Sequence, residues 1–188
     1  MLLLYHQLPV SPTDIKTDEI TGDALVNKIV DAAGQKGTGK WTVESAFDLG
    51  VPIPTMFAAV TARVMSSYKE QRVAASKVLS GPETRFSGDS ALLVDDLKQA
   101  LYASKIIAYA QGFDAIRAGA QEYNWNINLG AVSKIWRGGC IIRAQFLNRI
   151  ADAYGKNENL LSLLFDDYFA KAIDSSLASW RNVVAHSS

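Results

Sequence analysis

The stretch from about Ala91 to Tyr123 constrains the fold more than any other part of the chain. It carries no proline, and Leu97, Leu101, Ser104, Ala108 and Gln111 recur at the spacing of successive helical turns. Small residues are scattered along it (Ala100, Ala103, Ala108, Ala110 and Gly112), which predicts close packing by neighbouring helices. A long central helix with shorter helices around it is the expected architecture.

The rest of the chain agrees in kind. ALVNKIVDAAG places Leu25, Ile29 and Ala32 or Ala33 on one face and predicts a helix ending near Gly34. WTVESAFDLG predicts a shorter helix closed by Gly50, and VPIP reads as a turn followed by a new helix start. Phe57, Val60, Val64 and Val78 extend helical spacing from about Thr55 to Leu79. SGPETRFSGDS, residues 80–90, is the clear polar loop. Further helices are predicted over Leu129–Trp136, Ile141–Tyr154 and Phe165–Ala185. No alternating βαβ pattern occurs, so the predicted fold class is all-α.

Bulk properties narrow the function. A chain of 188 residues supports one domain with a core. Lysine plus arginine and aspartate plus glutamate both number 19, which argues against nucleic acid or a membrane surface as the main partner. A local basic pocket stays compatible with that balance. Cys140 is the single cysteine, so neither a disulfide within the chain nor a cysteine metal cluster is expected. His6 and His186 lie near opposite ends and give a metal site or a catalytic triad little to build on. No apolar stretch reaches the roughly 20 residues of a membrane helix. MLLLYHQLPVSP makes a poor signal peptide, and a cytoplasmic location is expected.

AGQKGTGKWT, residues 33–42, is the motif with chemistry in it. Gly34, Gly39 and Lys40 fit the start of the phosphate-loop pattern GxxxxGK[ST]. The pattern then fails: a helix, not a strand, is predicted to feed the loop, and Trp41 stands where a magnesium-binding Ser or Thr belongs. Two readings stay open. Gly37 and Gly39 can let backbone amides approach a ligand, Lys36 and Lys40 supply charge, Thr38 a hydroxyl, and a helix starting near Trp41 its positive end. That set suits a single phosphate or carboxylate. Alternatively the segment is a glycine-bearing connector with solvated lysines.

GQKGTGKWT followed by ESAFDLGVPIPT resembles the C-terminal helical domain of 6-phosphogluconate dehydrogenase, the decarboxylating enzyme of the pentose phosphate pathway. SSYKEQRVAASKVLSGP, DLKQALYASKIIAYAQGFDAIR, WRGGCIIRAQFL, LFDDYF and SSLASWR continue the likeness in order, from about Asp23 to Arg181. Residues 1–22 match poorly, so the chain divides into that segment and a helical substrate-binding and dimerisation domain over 23–188. The resemblance implies a homodimeric enzyme that oxidises 6-phosphogluconate with NADP, through a 3-keto acid, to ribulose 5-phosphate and carbon dioxide without a metal. It implies that Lys36 and Thr38, in the KGT segment, and Arg63, in AVTARVMSS, bind the substrate phosphate. An arginine suits that task because its guanidinium grips a phosphate through two parallel charge-assisted hydrogen bonds. No residue here matches the family's general base, general acid, dinucleotide fingerprint or its tail arginine and histidine. The expectation is therefore a part of the enzyme, partnered by a second copy or a full-length dehydrogenase subunit, and inactive by itself. A non-catalytic helical assembly or sugar-phosphate-binding module is the alternative.

Other residues draw blander readings. Cys140, in WRGGC, is expected as a small packed residue between helices. Trp125, Trp136 and Trp180 read as core or interface. Asp95–Asp96 and Asp166–Asp167 diverge by about 100° on a helix, so each pair reads as solvated surface or helix-start charge.

Overall fold

The computed structural model describes residues 16–81 and 86–187. His6, the first fifteen residues of the opening segment and positions 82–85 of the polar loop lie outside the described residues. Among the described residues seven α-helices follow one another: α1 (Thr38–Asp48), α2 (Pro54–Ser67), α3 (Lys69–Ala75), α4 (Ser90–Glu122), α5 (Leu129–Ile135), α6 (Phe146–Lys156) and α7 (Asp167–Ser187). Two short 3-10 turns, Leu25–Lys28 and Leu163–Phe165, complete the order. The all-α expectation holds. Among the described residues no helix is long and apolar enough to cross a membrane.

The predicted long helix is α4, about 50 Å from end to end at 1.5 Å per residue. It begins where Asp89 accepts hydrogen bonds from the Ala91 and Leu92 amides, 2.8 and 3.3 Å, satisfying two otherwise orphan donors. Its buried face is Leu93, Asp96, Ala100, Ala103, Ile106, Ala110 and Phe113, while Leu101 is 62 % exposed. Relative to the stripe read from the sequence, the buried one is displaced by one residue, about 100° around the axis. The period was correct and the phase was not, because apolar and small residues occur on both faces. The last helix, α7, lies along α4, and α6 packs against α5.

The core sits in the second half of the chain. Ile106 and Phe113 of α4, Leu147 and Ile150 of α6, Leu163 of the 3-10 turn and Phe169 of α7 are fully buried together. The amphipathic α6 is drawn into it along one face, from Phe146 to Tyr154. Asn128 caps α5 by accepting from the Ala131 amide at 2.8 Å.

The first half is thinner. Ala46 and Ile53 are its buried apolar residues. Pro54 opens α2 at the first helical position, as VPIP predicts. A side chain from α4 completes that start: Gln111 accepts from the Thr55 amide at 3.1 Å and donates to the Thr55 hydroxyl at 3.3 Å. Gly50, in the left-handed region at φ 65°, turns the chain after α1.

Several boundaries are corrected. Residues 24–34 do not form a helix; only Leu25–Lys28 makes a 3-10 turn. Side chains of α2 and α3 take up backbone groups that a helix would have paired. The helical run expected over 55–79 breaks at Tyr68 and ends at Ala75. The helix expected from Ile141 begins at Phe146, because the glycine-containing connection with Gly139 at φ 64° occupies the residues before it. Half-buried Cys140 lies in that connection. Trp136 packs on Phe113, 5.6 Å between ring centres, but Trp125 is 58 % exposed and stacks on Tyr123.

Asp96 overturns the solvated-surface reading of its pair. It is buried, accepts a 3.1 Å hydrogen bond from Asn182 of α7, and is held below the usual carboxylate value by Ser179 first and Asn182 second. Asp166 does serve a helix start, accepting from the Tyr168 amide at 3.0 Å.

Candidate functional site: an anion cradle at the start of α1

The helix after the glycine motif starts earlier than expected. Thr38, not Trp41, is its first residue, so Thr38, Gly39 and Lys40 form the opening turn. Gly37 stands before it at φ 100°, a conformation that side chains rarely adopt. No side chain caps this end and no acidic residue sits in the first turn. The first-turn amides thus retain donor capacity, and the helix presents its positive end without a carboxylate to neutralise it.

Gly39 has a packing role that the motif alone does not reveal. A Cβ there would lie 2.9 Å from Cγ2 of Val60, so α1 and α2 cross at a distance that only glycine permits. Val60 lies one turn before Arg63. The close crossing therefore brings the start of α1 beside the middle of α2, where Arg63 sits.

Arg63 reaches the segment before α1. Its Nε donates to the Gly34 carbonyl at 2.5 Å, and among the described residues its terminal nitrogens make no hydrogen bond or ion pair. Lys36, exposed and two residues after Gly34, likewise makes no ion pair among the described residues. Lys40 does: its ammonium lies 3.4 Å from Glu44, one helical turn on. Of the three positions implied by the resemblance, Lys36 and Thr38 flank Gly37, and Arg63 is tied to the same segment from a different helix. The arrangement offers two cations, a hydroxyl and uncapped amides, which is the donor set for one small multivalent anion.

The segment feeding this cradle, residues 29–37, has no regular structure. Ser66 of α2 accepts from the Ala33 amide at 3.2 Å, and its one hydroxyl proton has the Arg63 carbonyl at 2.8 Å and the Ala33 carbonyl at 3.3 Å as acceptors. From α3, Arg72 donates to the Asp31 carboxylate at 2.8 Å and to the Asp31 carbonyl at 2.7 Å. Asp31 is held below the usual carboxylate value, first by that hydrogen bond. Sequence reasoning missed Ser66 and Arg72. Their partners lie 33 and 41 residues away, so no local spacing could have signalled them.

A phosphate loop fed by a strand is not what this is. Among the described residues there is one isolated bridge, Thr17 with Ala24, and no strand.

Known proteins give this geometry a context. The family profile described as "6-phosphogluconate dehydrogenase, C-terminal domain" matches residues 12–188. The decarboxylating 6-phosphogluconate dehydrogenase of Schizosaccharomyces pombe is 52 % identical over 164 residues, 87 % of this chain and 33 % of that protein. That of Escherichia coli is 51 % identical over 171 residues, 91 % of this chain and 36 % of that protein. In fold, the chain is similar to Plasmodium falciparum 6-phosphogluconate dehydrogenase, solved apo, with its cofactor NADP+ and with its substrate 6-phosphogluconate. The TM-score is 0.84 at 45 % identity, covering 90 % of this chain and 37 % of that one. The chain therefore spans about a third of the length of these relatives.

Proposed function

The chain belongs to the 6-phosphogluconate dehydrogenase family, as its C-terminal domain, and from that premise we propose that it binds the phosphate of 6-phosphogluconate through Lys36, Thr38 and Arg63. The enzyme it would serve oxidises 6-phosphogluconate with NADP and decarboxylates the product to ribulose 5-phosphate. The observation carrying this reading is the Arg63 guanidinium, held against the Gly34 carbonyl with its terminal nitrogens uncommitted among the described residues, beside an uncapped helix start that holds Thr38.

Each group has a part in the proposed site. Two terminal nitrogens of Arg63 can donate in parallel to two phosphate oxygens, fixing orientation as well as charge. Lys36 supplies a mobile point charge. The Thr38 hydroxyl and the first-turn amides add neutral donors along the helix axis. Holding the far end of the sugar acid in this way positions the chain of carbons for chemistry done by other residues, so this site contributes orientation rather than bond-making.

The described residues do not fit NADP. Among them no strand feeds a glycine turn, so the unit that cradles a dinucleotide pyrophosphate has nothing to form from. The 188-residue chain alone is expected to form no NADPH from 6-phosphogluconate.

Titration calorimetry with 6-phosphogluconate tests the binding reading. Arg63→Ala should cost on the order of 2 kcal/mol of binding, the scale of a charge-assisted contact. Unchanged affinity would remove Arg63 from the site.

A second reading, a non-catalytic module that assembles with itself or with a full-length dehydrogenase subunit, draws on a separate observation. Large apolar side chains of the first half stand open, among them Ile29, Val30, Trp41, Phe47 and Phe57. Surfaces of this kind suit contact with another chain or domain. Homodimerisation is the form expected from the resemblance, and sizing at increasing concentration would test it.

A further inference from the structure

The segment from Ile29 to Gly37 delivers Lys36 and Thr38 to the cradle, yet makes no helix or strand of its own. Its position is set from outside. The Arg72 guanidinium holds the Asp31 carboxylate at 2.8 Å through Nη1 and the Asp31 carbonyl at 2.7 Å through Nη2. The same Nη2 also donates to the Ser66 carbonyl, 3.0 Å away, in the last turn of α2. One rigid fork therefore joins this strap to the helix that carries Arg63. The Ser66 hydroxyl repeats the join two residues further along, on Ala33.

We propose that Arg72 is a positioning residue for the anion site, acting through Asp31 to fix the strap, and with it Lys36 and Thr38, relative to Arg63 on α2. The inference rests on the phosphate-binding reading given above. Arg72 donates only to the strap and to α2 among the described residues, so it touches no part of the cradle itself. Its geometry requires an arginine. A lysine ammonium is a compact point charge and cannot span a carboxylate, a carbonyl of the same residue and a carbonyl of another helix in one fixed plane. Asp31 is the natural counterpart, since its carboxylate takes one arm of the fork while its backbone takes the other. The two halves of the anion site come from segments that no backbone hydrogen-bond ladder connects. Loss of this join would loosen their separation, and misplacement of a positioning group by about 1 Å can cost up to about a hundredfold.

The test compares 6-phosphogluconate with gluconate, which lacks the phosphate, as ligands of the 188-residue chain. The variants are Arg72→Lys, Asp31→Asn, the double variant and Arg63→Ala. Arg72→Lys should weaken 6-phosphogluconate binding about tenfold, with little effect on gluconate. Asp31→Asn should act in the same direction, and the double variant should be no worse than the worse single one. A merely structural role would instead lower the affinity for both ligands, or for neither, and would leave the two substitutions additive.

Failure of the premise is distinguishable from failure of the inference. If the wild-type chain does not prefer 6-phosphogluconate, or Arg63→Ala leaves that preference intact, the site reading falls and the role of Arg72 falls with it. If Arg63→Ala abolishes the preference while Arg72→Lys keeps it, the site stands and Arg72 has no positioning role. Amide exchange without ligand gives an independent arm. The Ala33 amide should exchange at least about tenfold faster in Arg72→Lys than in wild type, because its hydrogen bond to Ser66 depends on the strap staying in place. Equal exchange would overturn the inference. Asp31→Asn, nearly isosteric at an exposed position, keeps the test open should Arg72→Lys fail to fold.

Discussion

Arg63 and Lys36 are both cations near the same loop, yet different consequences follow from replacing them. Arg63 combines an Nε bond to its own protein with two arms that make no bond among the described residues, so Arg63→Lys keeps the charge and loses both the anchor and the fork. Most of the loss seen with Arg63→Ala should therefore persist in Arg63→Lys, whereas Lys36→Arg should be tolerated. Calorimetry of the two conservative variants checks this pair directly. Tyr154 supports a pH prediction at the same scale. Burial first pushes its hydroxyl up to about 12, and its oxygen accepts a 3.3 Å hydrogen bond from Arg117. A folded pKa above the unfolded value means that the contribution is fully present below pH 10 and is lost as pH rises toward about 12. Tyr154→Phe should flatten the decline of the melting temperature across that alkaline window. Asp96 carries the opposite sign. Its value is lowered below 3.8, so its contribution is present above that pH and is lost on further acidification. Asp96→Asn should weaken the acid dependence of unfolding. Of these residues, Lys36, Thr38 and Arg63 were nominated in the sequence through the family likeness and remain the proposed site. The burial of Asp96 was not, since nothing near it in sequence announces Ser179 and Asn182.

Helix α1 and helix α2 meet through Gly39, and that contact determines how far the start of α1 stands from Arg63. Gly39→Ala would place a methyl 2.9 Å from Cγ2 of Val60, a branched side chain with little freedom to move aside in a helix. The expected cost is about 1–3 kcal/mol of stability from overpacking, with weaker 6-phosphogluconate binding as the helices separate. Thermal unfolding and calorimetry on one preparation would measure both effects, and a variant as stable as wild type would rule the crossing out as a constraint. The start of α2 depends on α4 in the same spirit. Gln111 supplies the cap that Ile53 cannot, so Gln111→Ala should destabilise by about 1 kcal/mol, the usual value of a lost helix cap. Helix existence was legible for α1, α2, α4, α5, α6 and α7, where apolar spacing is helical, and Gly50 and Pro54 marked the end of α1 and the start of α2. Residues 24–34 misled because their apolar spacing is helical while their backbone partners come from Arg72, Ser66 and Arg63.

The whole molecule is unequal along its length. A core built on Ile106, Phe113, Leu147, Ile150 and Phe169 stabilises the second half, and the proposed anion site lies on the thinner first half, where apolar side chains such as Trp41 and Phe57 remain open. Two outcomes are expected of the purified 188-residue chain. It should self-associate or bind a full-length dehydrogenase subunit in sizing experiments, and it should bind 6-phosphogluconate without producing NADPH. A monodisperse monomer at every concentration would count against the assembly reading. Steady NADPH formation from the pure chain would overturn the assignment of chemistry to residues outside it.

Sequence alone determined that this protein is helical, that its longest helix is α4, and that its family is that of 6-phosphogluconate dehydrogenase. Periodicity, turn residues and long ordered motifs are all properties of neighbours along the chain. Only the tertiary structure decided which face of α4 is buried, one residue around from the face that spacing suggested, because α7 and the core side chains of α6 select the face they cover. It also decided that residues 29–37 are a strap rather than a helix and that Arg72 and Ser66 hold it. Those bonds join residues 33 and 41 positions apart. Their formation depends on α2 and α3 first packing where a guanidinium and a hydroxyl can reach, and no local pattern encodes that distance.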